Sequence, residues 1–269
     1  MVKYETHSMR SSWLQEFWHY RELFYFLIWR NVKIKYKQSV LGASWAVIRP
    51  FLTMIVFTLF FGRFAKMPND GIPYPIFYYS ALVPWTFFTE ALTFSGNSLV
   101  ANANLLTKVY FPRVTIPAAA VLSGLLDFAV ASVVLVGMMI YYNIPFSLSQ
   151  LLWPILILPL VFLALGTGMA FAALNVRYRD IKYTLPFVVQ VWLFLTPIIY
   201  PTSIIPERFR FLAALNPTSG IIEAFRACLL PTRQIDWKFL GIGVIITLAI
   251  FLLSTVYFCK TEREFADII

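Results

Sequence analysis

Glu90 and Asp127 each lie inside a long apolar run, Tyr74–Asn97 and Ile116–Tyr141. An ionised side chain in mid-membrane costs on the order of 3 kcal/mol, so such a group faces a bundle interior or water and finds a partner. Two acids at this depth could relay protons and couple transport to an ion gradient. The apolar runs hold no Lys, Arg or His to continue a relay, which favours a structural role, hydrogen-bonded between helices. Arg49, at the mouth of another apolar run, is a candidate partner for either acid. The chain has no Gly-x-x-x-x-Gly-Lys-Ser/Thr phosphate loop, so it cannot hold ATP in that manner. Gly-x-Ser-x-Gly, His-Glu-x-x-His and workably spaced carboxylate pairs are also missing. Cys228 and Cys259 build neither a metal set nor a disulfide framework, and His7 and His19 add none. No cofactor is expected on this chain, and it does not read as an enzyme.

The elements that position these residues follow from composition. Of 269 residues, 59% are hydrophobic and 13% charged, with a mean hydropathy of +0.72. Soluble domains carry roughly a quarter charged residues. The chain is therefore expected to be an all-α membrane protein. Its apolar runs are continuous, unlike the alternating segments of about ten residues in transmembrane barrels. Six spans are expected, at about 43–62, 74–97, 116–141, 151–174, 184–200 and 239–258. The first 40 residues hold Glu5, Glu16 and Glu22 and do not read as a removable signal peptide. Residues 1–42 read instead as an amphipathic helix in the headgroup layer. Trp13, Phe17, Tyr20, Phe24 and Leu27 line one face, and Arg30, Lys33, Lys35 and Lys37 follow. With both termini inside, fifteen Lys and Arg lie on the inner side against seven outside, which predicts cytoplasmic termini. The net charge of +9 then marks topology, and nucleic acid is not an expected partner. Pro50, Pro84, Pro159, Pro186 and Pro197 fall in or beside spans, where they kink helices for packing or for movement.

Two kinds of link stand out. The stretch 201–238 holds two apolar segments, Phe209–Leu215 and Ile221–Leu230, too short to span and too apolar for a free loop. A re-entrant helix pair turning at Asn216-Pro217 is expected there. It either gates a pathway or only packs against the spans. On the inner side, Asn102 is expected to cap a short helix over 102–110, ended by Pro112. That helix is a docking knob or a plain connector. The second inner link, with Arg177, Arg179 and Asp180, is a basic loop suited to lipid phosphate, an acidic partner surface, or topology alone.

In order along the chain stand Lys35-Tyr-Lys-Gln-Ser-Val-Leu-Gly-Ala-Ser-Trp45, Arg49-Pro50, Asn104-Leu-Leu-Thr-Lys-Val-Tyr-Phe-Pro-Arg113 and Asn175-Val-Arg-Tyr-Arg-Asp-Ile181. Thr196-Pro-Ile-Ile-Tyr200, Asn216-Pro217 and Glu264-Phe-Ala-Asp267 follow. In this order the chain resembles, over nearly its whole length, the membrane subunit of type 2 ABC exporters. The resemblance is to their polysaccharide and polyol-phosphate branch, the O-antigen, capsule and teichoic acid permeases.

That resemblance implies a homodimer in the bacterial inner membrane, joined by two copies of an ABC ATP-binding subunit that holds the ATP and Mg. It makes 102–110 the coupling helix, with Asn102, Asn104, Leu105, Leu106 and Lys108 meeting the ATPase. It makes 201–238 the periplasmic gate helices, hinged at Asn216 and Pro217. The first, second and fifth spans would line a channel between the copies. A sugar polymer can slide over aromatic rings through many shallow contacts. The candidates are Phe51, Phe57, Tyr78, Trp85, Phe88, Trp192 and Tyr200, each of which could equally face lipid. The implied function is ATP-driven export of a lipid-linked polysaccharide of O-antigen type. The alternatives are teichoic acid, capsule or drug export within the family, or an ion-driven transporter using Glu90 and Asp127.

Overall fold

The computed structural model describes residues 20–37, 42–108, 111–229, 234–262 and 265. Among these the chain is helical, with no strand. In a bilayer no water satisfies the backbone, so continuous apolar runs close their hydrogen bonds internally as helices.

Helix α1 (Arg21–Lys37) opens with Glu22 and ends with Lys35 and Lys37, charges that suit its dipole. It lies along α5 (Thr115–Tyr141) and buries Leu27 and Val32, while Tyr25, Phe26, Trp29 and Ile34 stay exposed. Trp13 and Phe17 lie outside the described residues. Helix α2 (Trp45–Phe57) contains Pro50 and continues as a π-helical stretch, Thr58–Phe64. Helix α3 (Tyr74–Ala101) is the hub. It packs against α2, α5, α6 (Trp153–Arg177) and α9 (Pro217–Leu229). A short α4 (Ala103–Lys108) follows it. Helix α7 is Ile181–Leu195, α8 is Glu207–Leu215 and α10 is Trp237–Thr261.

Four stretches are long and apolar enough to cross a membrane: Gly42–Phe64, Thr115–Tyr141, Leu148–Arg177 and Trp237–Thr261. They match the first, third, fourth and sixth expected spans. The other two differ, each for a local reason. Helix α3 has 28 residues, about 42 Å at 1.5 Å per residue. It carries Tyr, Ser, Thr, Asn and Glu side chains, and its neighbours cover most of it. Helix α7 ends after 15 residues at Leu195, because Pro197 cannot continue the hydrogen-bond ladder.

Beyond α7 stand two helices, α8 and α9, meeting at Asn216. They are unequal. Every residue of α9 is buried, whereas α8 buries only Ala214. Helix α9 lies so close to α10 that a Cβ on Gly220 would stand 2.5 Å from the Phe239 carbonyl oxygen. Small residues at such crossings let membrane helices approach backbone to backbone.

Candidate functional site

The two acids meet at one cluster, and the residue joining them comes from α1. Lys35 Nζ donates to Glu90 Oε2 at 2.6 Å and also to Asp127 Oδ2. Arg49 Nη1 donates to Glu90 Oε1 at 2.8 Å. Four charges of zero net sum thus tie α1, α2, α3 and α5 together. Side-chain exposure is 23% for Lys35, 16% for Glu90 and 10% for Asp127, but 58% for Arg49. The inner three are held away from water, where loss of one partner strands another charge. Arg49 was the candidate read from the sequence. Lys35 was placed among the headgroup cations, and its reach into the bundle was missed. It lies 55 positions from Glu90 and 92 from Asp127, so no local spacing reveals it.

A second link joins α1 to the short helix. Arg30 Nη2 donates to Asn102 Oδ1 at 2.7 Å, and Asn102 Nδ2 donates to the Ser98 carbonyl at 2.7 Å. The sequence predicts that the Asn102 side chain caps α4, but it closes the end of α3. Its backbone carbonyl starts α4 instead, accepting from Leu105 N at 2.9 Å and Leu106 N at 3.2 Å. Partial burial lowers the Arg30 pKa below its ordinary value. Between α1, α3 and α5 lies a cavity of about 490 Å³ bounded by Arg30, Lys35, Glu90, Asn97 and Asn102.

Helix α4 ends at Lys108, and residues 109 and 110 of the expected helix lie outside the described residues. Leu105 and Leu106 are half-buried against a cluster holding Leu99, Phe111, Ile116 and Met169. Asn104, Thr107 and Lys108 are exposed. The face open to a partner is thus the polar one. Beyond it, Arg113 donates to Glu262, its backbone N–H to Oε1 at 3.1 Å and its guanidinium to the carbonyl. Arg177, Arg179 and Asp180 are exposed on the next link. Arg179 and Lys182 border a cavity of about 680 Å³ with Asn97 and Asn175.

The proposed channel aromatics divide. Tyr78 and Phe88 are fully buried, Trp85 is 5% exposed and Phe57 9%. These four are core residues with no open face for a polymer in this conformation. Phe57 and Tyr78 meet edge to face at 5.8 Å. Phe51 is 39% exposed, and Trp192 and Tyr200 are partly exposed.

Trp192 and Asn216 come together, although the sequence assigned them to different roles. Trp192 Nε1 donates to Asn216 Oδ1 at 2.8 Å, and Asn216 Nδ2 donates to the Leu195 carbonyl at 3.2 Å. Thr218 Oγ1 donates to the same Asn216 oxygen at 2.6 Å. Asn216 thereby locks the end of α7 to the joint of α8 and α9, and Pro217 opens α9 where its missing N–H is not needed. A buried charge pair on α9 was missed. Arg226 is fully buried with its guanidinium 4.1 Å from the Phe77 ring centre. It donates to Glu223 Oε2 at 3.4 Å and to the Ile198 carbonyl at 3.1 Å. From sequence both charges belonged to a link, and the Glu223/Arg226 spacing, one helical turn, was the only signal.

An all-helical bundle with four apolar spans and charges paired inside it defines a multi-pass membrane protein. The ABC-2 type transporter family matches residues 22–230, and the chain belongs to that family. It is 28% identical over 244 residues to the O-antigen export system permease protein RfbA of Klebsiella pneumoniae, covering 89% of this chain and 92% of that one. It is 28% identical to the protein of the same name from Myxococcus xanthus, over 94% of this chain and 98% of that one. It is 24% identical to the polysialic acid transport protein KpsM of Escherichia coli, over 83% and 88%. The resemblance read from the motifs is thereby established at the level of the family.

Proposed function

We propose that the chain is the channel-forming subunit of an ATP-driven exporter moving a lipid-linked polysaccharide of O-antigen type out across the bacterial inner membrane. The observation that carries this reading is the near full-length similarity to O-antigen export permeases. Six crossings serve it: α2, α3, α5, α6, α7 with the turn after it, and α10. The exposed apolar residues of α1 suit an interfacial helix, both termini lie in the cytoplasm, and α8 and α9 form the outer gate. Two copies of the chain enclose the path, and two copies of a separate ABC ATPase, which holds ATP and Mg, dock on α4 and the Arg177–Asp180 link. Membrane lipids bathe the rest.

The mechanism follows from the ties. Movement of α4 pulls Asn102, and Asn102 pulls Arg30 and α1. Helix α1 carries Lys35 into the cluster shared by α2, α3 and α5. Displacement at the ATPase thus reaches the channel helices through one element with two fixed attachments. Phe51, Trp192 and Tyr200 are the aromatics left available to a sliding glycan. Both acids have cationic partners, which supports a structural role and weighs against a proton relay.

The test is co-purification of the tagged chain from native membranes in mild detergent, with mass spectrometry. A stoichiometric ATPase carrying a phosphate loop and an ABC signature is expected. Recovery of the chain alone under the same gentle conditions would shift the reading to the ion-driven alternative.

A further inference from the structure

We propose that the cavity between α1, α3 and α5 binds an anionic phospholipid of the inner leaflet, with its phosphate at Arg30. This rests on the exporter reading only for the side of the membrane on which α1 lies. The cavity measures about 490 Å³, within the range of small-ligand pockets. A whole phospholipid exceeds it, so the cavity takes the phosphate and the upper part of one chain. The remainder stays in the bilayer.

Charge along the cavity is uneven. Glu90 and Asn102 both line it, separated along α3 by about 18 Å at 1.5 Å per residue. Lys35 stands at the Glu90 end and Arg30 at the Asn102 end. At the Glu90 end the charges of Lys35, Arg49, Glu90 and Asp127 sum to zero. At the other end no carboxylate pairs with Arg30 among the described residues. Both hydrogen bonds of Arg30 leave from Nη2, to the neutral amide oxygens of Asn102 at 2.7 Å and Asn31 at 3.3 Å. Its Nε has no partner among the described residues. A guanidinium carries five N–H donors, so Arg30 can take an anion and keep its tie to Asn102. Burial lowers the Arg30 pKa, and no neighbouring charge opposes that shift. Lys33 and Lys37 follow Arg30 at helical spacing on the same side of α1, and both are exposed. The local excess is positive, and an anion offsets it.

The apolar lining identifies what carries the anion. Ile34 of α1, Phe94 of α3, and Ala120 and Gly124 of α5 form much of the wall. Ile34 is 67% exposed and Phe94 51%, so this wall runs out onto the surface of the bundle. Tyr25, Phe26 and Trp29 are exposed on the same helix, as suits a segment in the headgroup layer. Free phosphate would leave the apolar wall bare, whereas an acyl chain covers it. Cations at the inner face of a membrane attract anionic lipid in particular.

The test is native mass spectrometry of the chain with its ATPase, released from membranes in mild detergent. Retained lipid is read by mass. Phosphatidylglycerol is expected on the wild type. Added phosphatidylethanolamine, whose ammonium balances its phosphate, should displace it about tenfold less well than added phosphatidylglycerol. Arg30→Gln keeps a donor for Asn102 and removes the charge, and should lower retention about tenfold. Ser123 Oγ bonds within α5, to the Ala120 carbonyl at 2.7 Å. Ser123→Leu therefore fills the cavity without cutting a tie between helices, and should lower retention with Arg30 intact. Cooperative thermal melting checks that each variant is folded, and the comparison of lipids on the wild type needs neither variant. No retained lipid, equal displacement by the two lipids, or unchanged retention in either folded variant would overturn the site. A retained isoprenoid diphosphate in place of phosphatidylglycerol would also overturn it, because the occupant is then the cargo. The same preparation separates the two claims. An ATPase recovered without bound lipid overturns the site alone. Phosphatidylglycerol retained in the expected pattern on a chain that brings no ATPase supports the site and overturns the exporter reading.

Discussion

Removing the Lys35 ammonium leaves Glu90 and Asp127 facing Arg49 alone, one negative charge in excess in a place sheltered from water. Breaking a buried pair in this way costs roughly 3–5 kcal/mol. Lys35→Met should therefore sharply lower the thermal stability of the purified chain in detergent. Adding Asp127→Asn restores a neutral cluster with the Arg49–Glu90 pair intact, and should recover a large part of the loss. If the double variant were no more stable than Lys35→Met, charge balance would not be what the cluster supplies. Asn102 gives a second expectation at this scale. Asn102→Ala removes the acceptor of Arg30 and one donor to the end of α3, at about 1 kcal/mol for each bond. The fold should survive, and ATP-dependent export should fall severalfold, measured as surface glycan per cell. The two acids were legible in the sequence because charge in an apolar run is conspicuous. Lys35 and Arg226 were not, because a cation among headgroup or loop cations carries no mark of where its long side chain ends.

Helix α4 divides the residues expected to meet the ATPase, with Asn104 and Lys108 exposed and Leu105 and Leu106 half-buried. The helix expected over 102–110 is described over Ala103–Lys108, and residues 109 and 110 lie outside the described residues. Leu105 and Leu106 pack inward, so an acid at either position disturbs the local core as well as any docking. Asn104 and Lys108 are the cleaner probes. Lys108→Glu with Asn104→Asp should leave the chain folded and cut ATP-dependent export at least tenfold, with normal insertion checked by size-exclusion chromatography. Unchanged export would remove α4 from the ATPase contact. Close packing makes a prediction for α9. Gly220→Ala puts a methyl group 2.5 Å from the Phe239 carbonyl, so α9 and α10 must part. A loss of about 1–3 kcal/mol is expected, the usual range for overpacking, and thermal denaturation would measure it. Four of the six expected spans are long and apolar enough to cross a membrane, and α3 is not among them because it carries polar side chains sheltered by neighbouring helices. Hydropathy reads the surface an element needs, and α3 needs little.

Taken as one body, the bundle has paired charges at two levels. The cluster at Lys35 lies near the α1 and α4 side, and Glu223 with Arg226 lies near the α8 joint. Helix α3 touches both, through Glu90 in one and the Phe77 ring in the other. A shift of α3 therefore moves both clusters together. The charge asymmetry predicts a direction of insertion, and the motif order gave the family. The channel face was not legible, since four of the seven aromatics chosen for it form the core. Aromatic type alone does not distinguish a ring that meets substrate from one that fills space.

The central claim is that ATP, consumed by a partner, drives a glycan through this chain. The most direct measurement uses inside-out membrane vesicles holding the chain and its ATPase, supplied with lipid-linked glycan from the host. Glycan protected from an added glycosidase reports translocation into the lumen. Protection is predicted only with ATP, and only when both proteins are present. Glu90→Gln should not convert it to dependence on an ion gradient. Protection that needs no ATP, follows an imposed proton gradient and is abolished by Glu90→Gln would contradict the account.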